Sequence, residues 1–141
     1  MKRLLLIAAL ICLCACQSIQ QCPTDGRMMK CSLQEYPVCG VSITYNGQVK
    51  VNFTNHCIAC SIGKVAFTVD GKCEEYPGEA KFCHPALAKS QCSNEYAPSC
   101  GYFNKSVNCL VPPCNVESAN ACQACTTNNV IYTIKGKCAK N

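Results

Sequence analysis

The sequence predicts a small disulfide-rich α+β protein made of two copies of one module, each a short antiparallel sheet with one short helix. Three observations carry this prediction. Cysteine supplies 17 of the 141 residues. Six cysteines recur as a second set of six at a nearly constant offset. The large side chains of an ordinary core are scarce, with no Trp and four Phe. Domains of about 60 residues bury too little surface to be comfortably stable, and cross-links make up the shortfall in oxidising compartments.

Met1-Lys2-Arg3 opens the chain, and an uncharged apolar run follows from Leu4 to about Cys16. The run is shorter than the roughly 20 residues that a membrane-spanning helix needs. A basic start, a short apolar middle and small residues before a cut are the marks of a secretory signal peptide, here expected over 1–16 with Gln17 as the new N-terminus. Leu13-Cys14-Ala15-Cys16 also fits a bacterial lipobox, in which Cys16 would keep a lipid. Cleavage after Cys16 removes three cysteines and leaves 14, an even number that can pair completely. The expected location is therefore extracellular, with no membrane attachment of the mature chain.

The first set of six comprises Cys22, Cys31, Cys39, Cys57, Cys60 and Cys73; the second comprises Cys83, Cys92, Cys100, Cys122, Cys125 and Cys138. The first three positions shift by 61 residues and the last three by 65, so one four-residue insertion separates the copies. That insertion falls in the interval holding the two unmatched cysteines, Cys109 and Cys114. They are expected to pair across Leu110-Val111-Pro112-Pro113, where proline favours a bend. The expected organisation is a first domain over 17–75, a linker over 76–82 within an acidic Pro-Gly segment, and a second domain over 83–141. No cysteine is left over to cross the linker, so each domain is expected to fold alone.

Val65-Ala66-Phe67-Thr68-Val69 and Val130-Ile131-Tyr132-Thr133-Ile134 read as strands, being β-branched and aromatic runs bounded by turn residues. The segment from Val41 to Val51 reads as a hairpin turning at Asn46-Gly47. Cys57-Ile58-Ala59-Cys60 and Cys122-Gln123-Ala124-Cys125 fit short helices, with Gly63 and Asn129 as left-handed stops.

Composition excludes some functions. Without Lys2 and Arg3 the net charge falls from +5 to +3, and the remaining basic residues are scattered, which gives nucleic-acid binding no support. The two Cys-x-x-Cys pairs allow a zinc reading, but it strands the other cysteines. A thioredoxin-like site lacks its βαβ context. His56 and His84 occupy unmatched positions and read as surface residues, so neither hydrolysis nor any other enzymatic activity is expected. No cofactor or metal is implied. Asn52-Phe53-Thr54 and Asn104-Lys105-Ser106 are glycosylation sequons, expected on surface loops.

Cys31-Ser32-Leu33-Gln34-Glu35-Tyr36-Pro37-Val38-Cys39-Gly40 and Cys92-Ser93-Asn94-Glu95-Tyr96-Ala97-Pro98-Ser99-Cys100-Gly101 resemble the Kazal family of serine-protease inhibitors. The likeness lies in the seven residues between the cysteines, the proline two before the second of them and the glycine after it. Phe53-Thr54-Asn55-His56-Cys57 is similar to the family's aromatic-x-Asn-x-Cys motif; Ser118-Ala119-Asn120-Ala121-Cys122 keeps the asparagine without the aromatic. Cys-x-x-Cys and the final Gly-Lys-Cys also fit. The sequence departs from the family in a longer interval between third and fourth cysteines, 17 and 21 residues, and a shorter one between fifth and sixth, 12 in both modules.

Six cysteines alone permit fifteen pairings. The resemblance implies one of them: Cys22–Cys60, Cys31–Cys57, Cys39–Cys73, Cys83–Cys125, Cys92–Cys122 and Cys100–Cys138. It also implies an exposed, substrate-like loop after the second cysteine of each module, formed by Ser32, Leu33, Gln34 and Glu35 in the first and by Ser93, Asn94, Glu95 and Tyr96 in the second. Leu33 and Asn94 would be the residues that enter a protease's specificity pocket. Pro37 and Pro98 would stiffen the loops, and Asn55 and Asn120 would hydrogen-bond the carbonyls beside the reactive bond. The implied partner is a serine endopeptidase, with an apolar pocket for the first module, bound by a monomeric inhibitor. The competing expectation is a secreted structural or binding protein with an inert version of the fold.

Overall fold

The computed structural model describes residues 18–27 and 29–139. The expected signal peptide and the lipobox lie outside the described residues. The first module contains β1 (Ile19–Gln21), β2 (Val38–Thr44), β3 (Gly47–Phe53), α1 (His56–Ser61) and β4 (Phe67–Asp70). The second contains β5 (Lys81–Phe82), β6 (Ser99–Phe103), β7 (Asn115–Ser118), α2 (Ala121–Thr126) and β8 (Val130–Lys135). The strands form two antiparallel sheets of the same order, β1-β4-β2-β3 and β5-β8-β6-β7.

Seven disulfides hold this framework: Cys22–Cys60, Cys31–Cys57, Cys39–Cys73, Cys83–Cys125, Cys92–Cys122, Cys100–Cys138 and Cys109–Cys114. Every thiol of the two Cys-x-x-Cys pairs is thus consumed in a bond to a different partner, which removes the ligands that the zinc reading needs. A helix of six residues does not persist in water alone. Here each helix is tied by two disulfides and capped at its start, where Asn55 Oδ1 accepts from the Ile58 amide and Asn120 Oδ1 from the Gln123 amide, both at 2.9 Å.

One glycine on an inner strand of each sheet is packed too closely to carry a side chain. A β-carbon on Gly40 would lie 2.5 Å from the Phe53 ring, and one on Gly101 would lie 3.0 Å from a Val130 methyl. Only glycine fits at these two positions without displacement. Two details differ from the sequence reading. The hairpin turns on Tyr45-Asn46, with Thr44 paired to Gly47, so the glycine follows the turn with φ +113°. Gly63 does stand just past α1 with φ +73°, whereas α2 ends at Thr126 and Asn129, φ +68°, shapes the turn into β8.

The modules share a core, and the segment 76–82 is not a free linker. Lys81–Phe82 is the first strand of the second sheet, at the register that Gln20–Gln21 holds in the first. Phe82, 2 % exposed, packs with Cys39, Val41, Phe67 and Val69 of the first module, with Tyr76 and Tyr132 alongside. Gln48 clasps the Phe82 backbone both ways, its amide donating to the carbonyl at 2.6 Å and accepting from the N–H at 2.9 Å. Lys50 Nζ donates to the Ala80 carbonyl and lies 5.1 Å from the centre of the Phe82 ring. The two modules therefore pack against each other through Phe82 and the segment that carries it. The cysteine pattern reports covalent closure of each module but carries no information about noncovalent packing between them.

Burial, with the nearby Glu75, Asp70 and Tyr132 as smaller contributors, pushes the Tyr76 hydroxyl up to about 12, and the hydroxyl donates to the Asp70 carbonyl. A raised tyrosine favours the neutral form in the fold. Its contribution is complete below the unfolded value near 10 and is lost as pH rises through about 12. Stability measured by chemical unfolding is expected to fall across pH 10–12, and Tyr76→Phe is expected to flatten that fall. An equally steep fall in Tyr76→Phe would assign it elsewhere.

Candidate functional site

Residues 31–37 and 91–98 belong to no helix or strand, and Ser32–Pro37 and Ser93–Ala97 are exposed. Leu33 stands 85 % exposed at the first loop, and Tyr36 and Tyr96 are also largely in solvent. The two loops are held by the same set of bonds. Asn55 Nδ2 donates to the Ser32 carbonyl at 3.0 Å and the Gln34 carbonyl at 2.9 Å. Asn120 Nδ2 donates to the Ser93 and Glu95 carbonyls at the same two distances. Each asparagine thus spans the peptide bond after Leu33 or Asn94 while its oxygen caps the helix behind. A single side chain couples loop to helix, and the helix is fixed in turn by its disulfides.

Further bonds pin the far end of each loop. The Tyr36 amide donates to the Thr54 carbonyl and the Ala97 amide to the Ala119 carbonyl, both at 2.8 Å. The Gly71 amide donates to the Pro37 carbonyl at 3.0 Å, and Gly136 to Pro98 at 2.7 Å. Gly71 and Gly136 take φ of +86° and +105°, a region that disfavours side chains. They are site-supporting residues that the sequence reading used only as part of the Gly-Lys-Cys match. Their recurrence two positions before the last cysteine of each module was the available signal.

The loops differ in chemistry. Leu33 offers a branched apolar side chain and Asn94 a short amide. Gln123 Nε2 adds a bond of 3.4 Å to the Ser93 carbonyl, whereas the matching residue of the first module, Ile58, has no side-chain donor. Pro37 is exposed and Pro98 half-buried.

The other candidate residues have structural surroundings. His56 and His84 are both half-buried rather than at the surface. His56 Nδ1 lies 2.7 Å from the Thr68 hydroxyl, and burial lowers its pKa, opposed by the charge of Asp70. His84 Nδ1 accepts from the Ala86 amide, and its ring meets Phe67 edge-on. One grouping of metal-ligand type occurs among the described residues, Cys22, His56 and Cys60, but its two sulfurs are bonded to each other. Asn52 is exposed; its side chain accepts from the Cys73 amide and donates to Glu74. Asn104 is only 8 % exposed, unlike the surface position expected of a sequon, because its Oδ1 closes a turn onto Ser106. No helix among the described residues is long and apolar enough to cross a membrane.

Comparisons of this chain with protein-family models, curated proteins and solved structures give no match.

Proposed function

We propose that the protein is a secreted, Kazal-like inhibitor of serine endopeptidases that acts through Leu33. The observation that carries this reading is an exposed leucine on a loop whose next peptide bond is bridged by the half-buried Asn55. Such a loop enters a protease as a substrate does, with little further loss of conformational freedom. Burial of the leucine side chain contributes about 1.5–3 kcal/mol, which favours enzymes with apolar pockets. After acylation at Leu33, the strand beginning at Gln34 stays in place. Asn55 holds its carbonyl, Thr54 and Gly71 hold Tyr36 and Pro37, and Cys39–Cys73 ties it covalently. The amine therefore remains beside the acyl group and re-forms the bond instead of leaving. The protein itself performs no catalysis in this scheme and needs no cofactor.

Seven disulfides fit an oxidising compartment, which supports secretion. For the second module, Asn94 favours a different role. A short amide gains little on entering a pocket because it must replace its water. That module then serves as a binding or bracing partner for the first. Titration of chymotrypsin-, elastase-, subtilisin- and trypsin-like enzymes tests the proposal. Stoichiometric block of one or more of the first three is expected, and block of none would refute it.

A further inference from the structure

We infer that the disulfide-closed loop Cys109–Cys114 of the second module is a secondary contact for the protease engaged at Leu33 in the first. The inference rests on the inhibitor reading and adds a surface to it. The loop sits between β6 and β7, where the first module turns in two residues, so the module does not need it to form its sheet. Its tip is apolar and free: Leu110 is fully exposed, and Val111, Pro112 and Pro113 are exposed with it. No charged residue occurs between Lys105 and Glu117. The Cys109–Cys114 bond, with a Cα separation of 5.7 Å, fixes that tip. Exposed apolar residues on a locked turn have the character of a preorganised anchor for a pocket or apolar patch on another protein. The missing basic rim disfavours a lipid surface. Four residues between linked ends lie in a bend and not in an extended strand, so this loop does not itself act as a substrate mimic.

Position identifies the partner. β4 ends at Asp70, which pairs with Val38 at the root of the first reactive loop, and Gly71 bonds Pro37 within that loop. The stem of the Cys109–Cys114 loop lies against this same end of the first module. Asn104, Lys105 and Ser106 line one cleft of about 200 Å³ together with Asp70 and Gly71. Lys105 Nζ reaches Glu75 Oε2 at 3.1 Å. A protease contacts an inhibitor over about 800 Å² on each side, a patch much wider than a six-residue loop. A footprint of that width, centred on the first reactive loop, reaches the end of the second module where the Cys109–Cys114 loop begins.

The test uses the full chain with Leu110→Asp and Val111→Ser combined, both at exposed positions where the fold is not at stake. Inhibition constants are compared for wild type, this variant, Leu33→Gly and the triple variant, against the chymotrypsin-, elastase- and subtilisin-like enzyme that wild type blocks best. The tip variant is expected to weaken inhibition roughly tenfold, mostly by faster dissociation, and to do so by a similar factor in the Leu33→Gly background, because separate contacts with one enzyme add. Hydrogen exchange in the complex is expected to slow at Leu110 and Val111. Inhibition by the tip variant within twofold of wild type, with Leu33→Gly still damaging, would overturn this contact and leave the inhibitor reading intact. Wild type that blocks no enzyme would overturn both.

Discussion

Leu33→Lys is expected to redirect the first module from apolar-pocket proteases to trypsin-like ones. The loop backbone is set by Asn55, Thr54, Gly71 and two disulfides, and the Leu33 side chain stands out in solvent. The same backbone then delivers an ammonium to an acidic pocket and withholds the branched apolar group from the others. Loss of a leucine worth about 1.5–3 kcal/mol corresponds to roughly a 10- to 150-fold weaker inhibition of the apolar-pocket enzymes, and desolvating lysine there adds to it. Leu33→Gly is expected to show the loss without the gain. Thermal unfolding of both variants is expected to match wild type, because the side chain is solvated. Unchanged inhibition profiles in both would remove Leu33 from the site.

Phe82→Ala is expected to have the largest effect on stability, about 3–5 kcal/mol. The ring is buried against Cys39, Val41, Phe67 and Val69, and it meets Tyr76 edge-on at 4.9 Å between centroids. Although Phe82 belongs to the second sheet, most of what it covers belongs to the first, so the loss falls on both modules. Denaturant unfolding with disulfides intact is expected to show one transition for wild type by tyrosine fluorescence and by far-ultraviolet dichroism. Two separate transitions in wild type, with only one moved by Phe82→Ala, would instead describe independent modules.

The repeat made much of the architecture legible. Six cysteines at matched offsets, two β-branched and aromatic strand segments and two Cys-x-x-Cys helices all have composition or spacing signals in the chain. What the sequence hid was packing between modules. Gln48 and Lys50 lie within the expected hairpin with no spacing signal to mark them, yet both bond to the segment 78–82. Glu74-Glu75-Tyr76-Pro77-Gly78 has linker composition, and only Tyr76 and Phe82 hint that it is pinned at both ends. Asn104 carried a sequon whose burial depends on a local turn that spacing does not report. At the candidate site, Asn55 and Asn120 were legible through the motif around them. The backbone donors Gly71 and Gly136 were not, because their role depends on a positive φ at a chain reversal.

The most direct test of a substrate-like loop is to identify the first bond cut. The full chain is incubated with a catalytic amount of a leucine-accepting serine protease, and the products are mapped by mass spectrometry before and after reduction. The expected result is a single cut between Leu33 and Gln34, with both pieces retained in one molecule until Cys22–Cys60 and Cys31–Cys57 are reduced, and with intact chain re-forming when purified cut protein is returned to the enzyme. First cleavage at another exposed site, such as after Tyr45 or Leu110, or digestion that runs on without arrest, would contradict it.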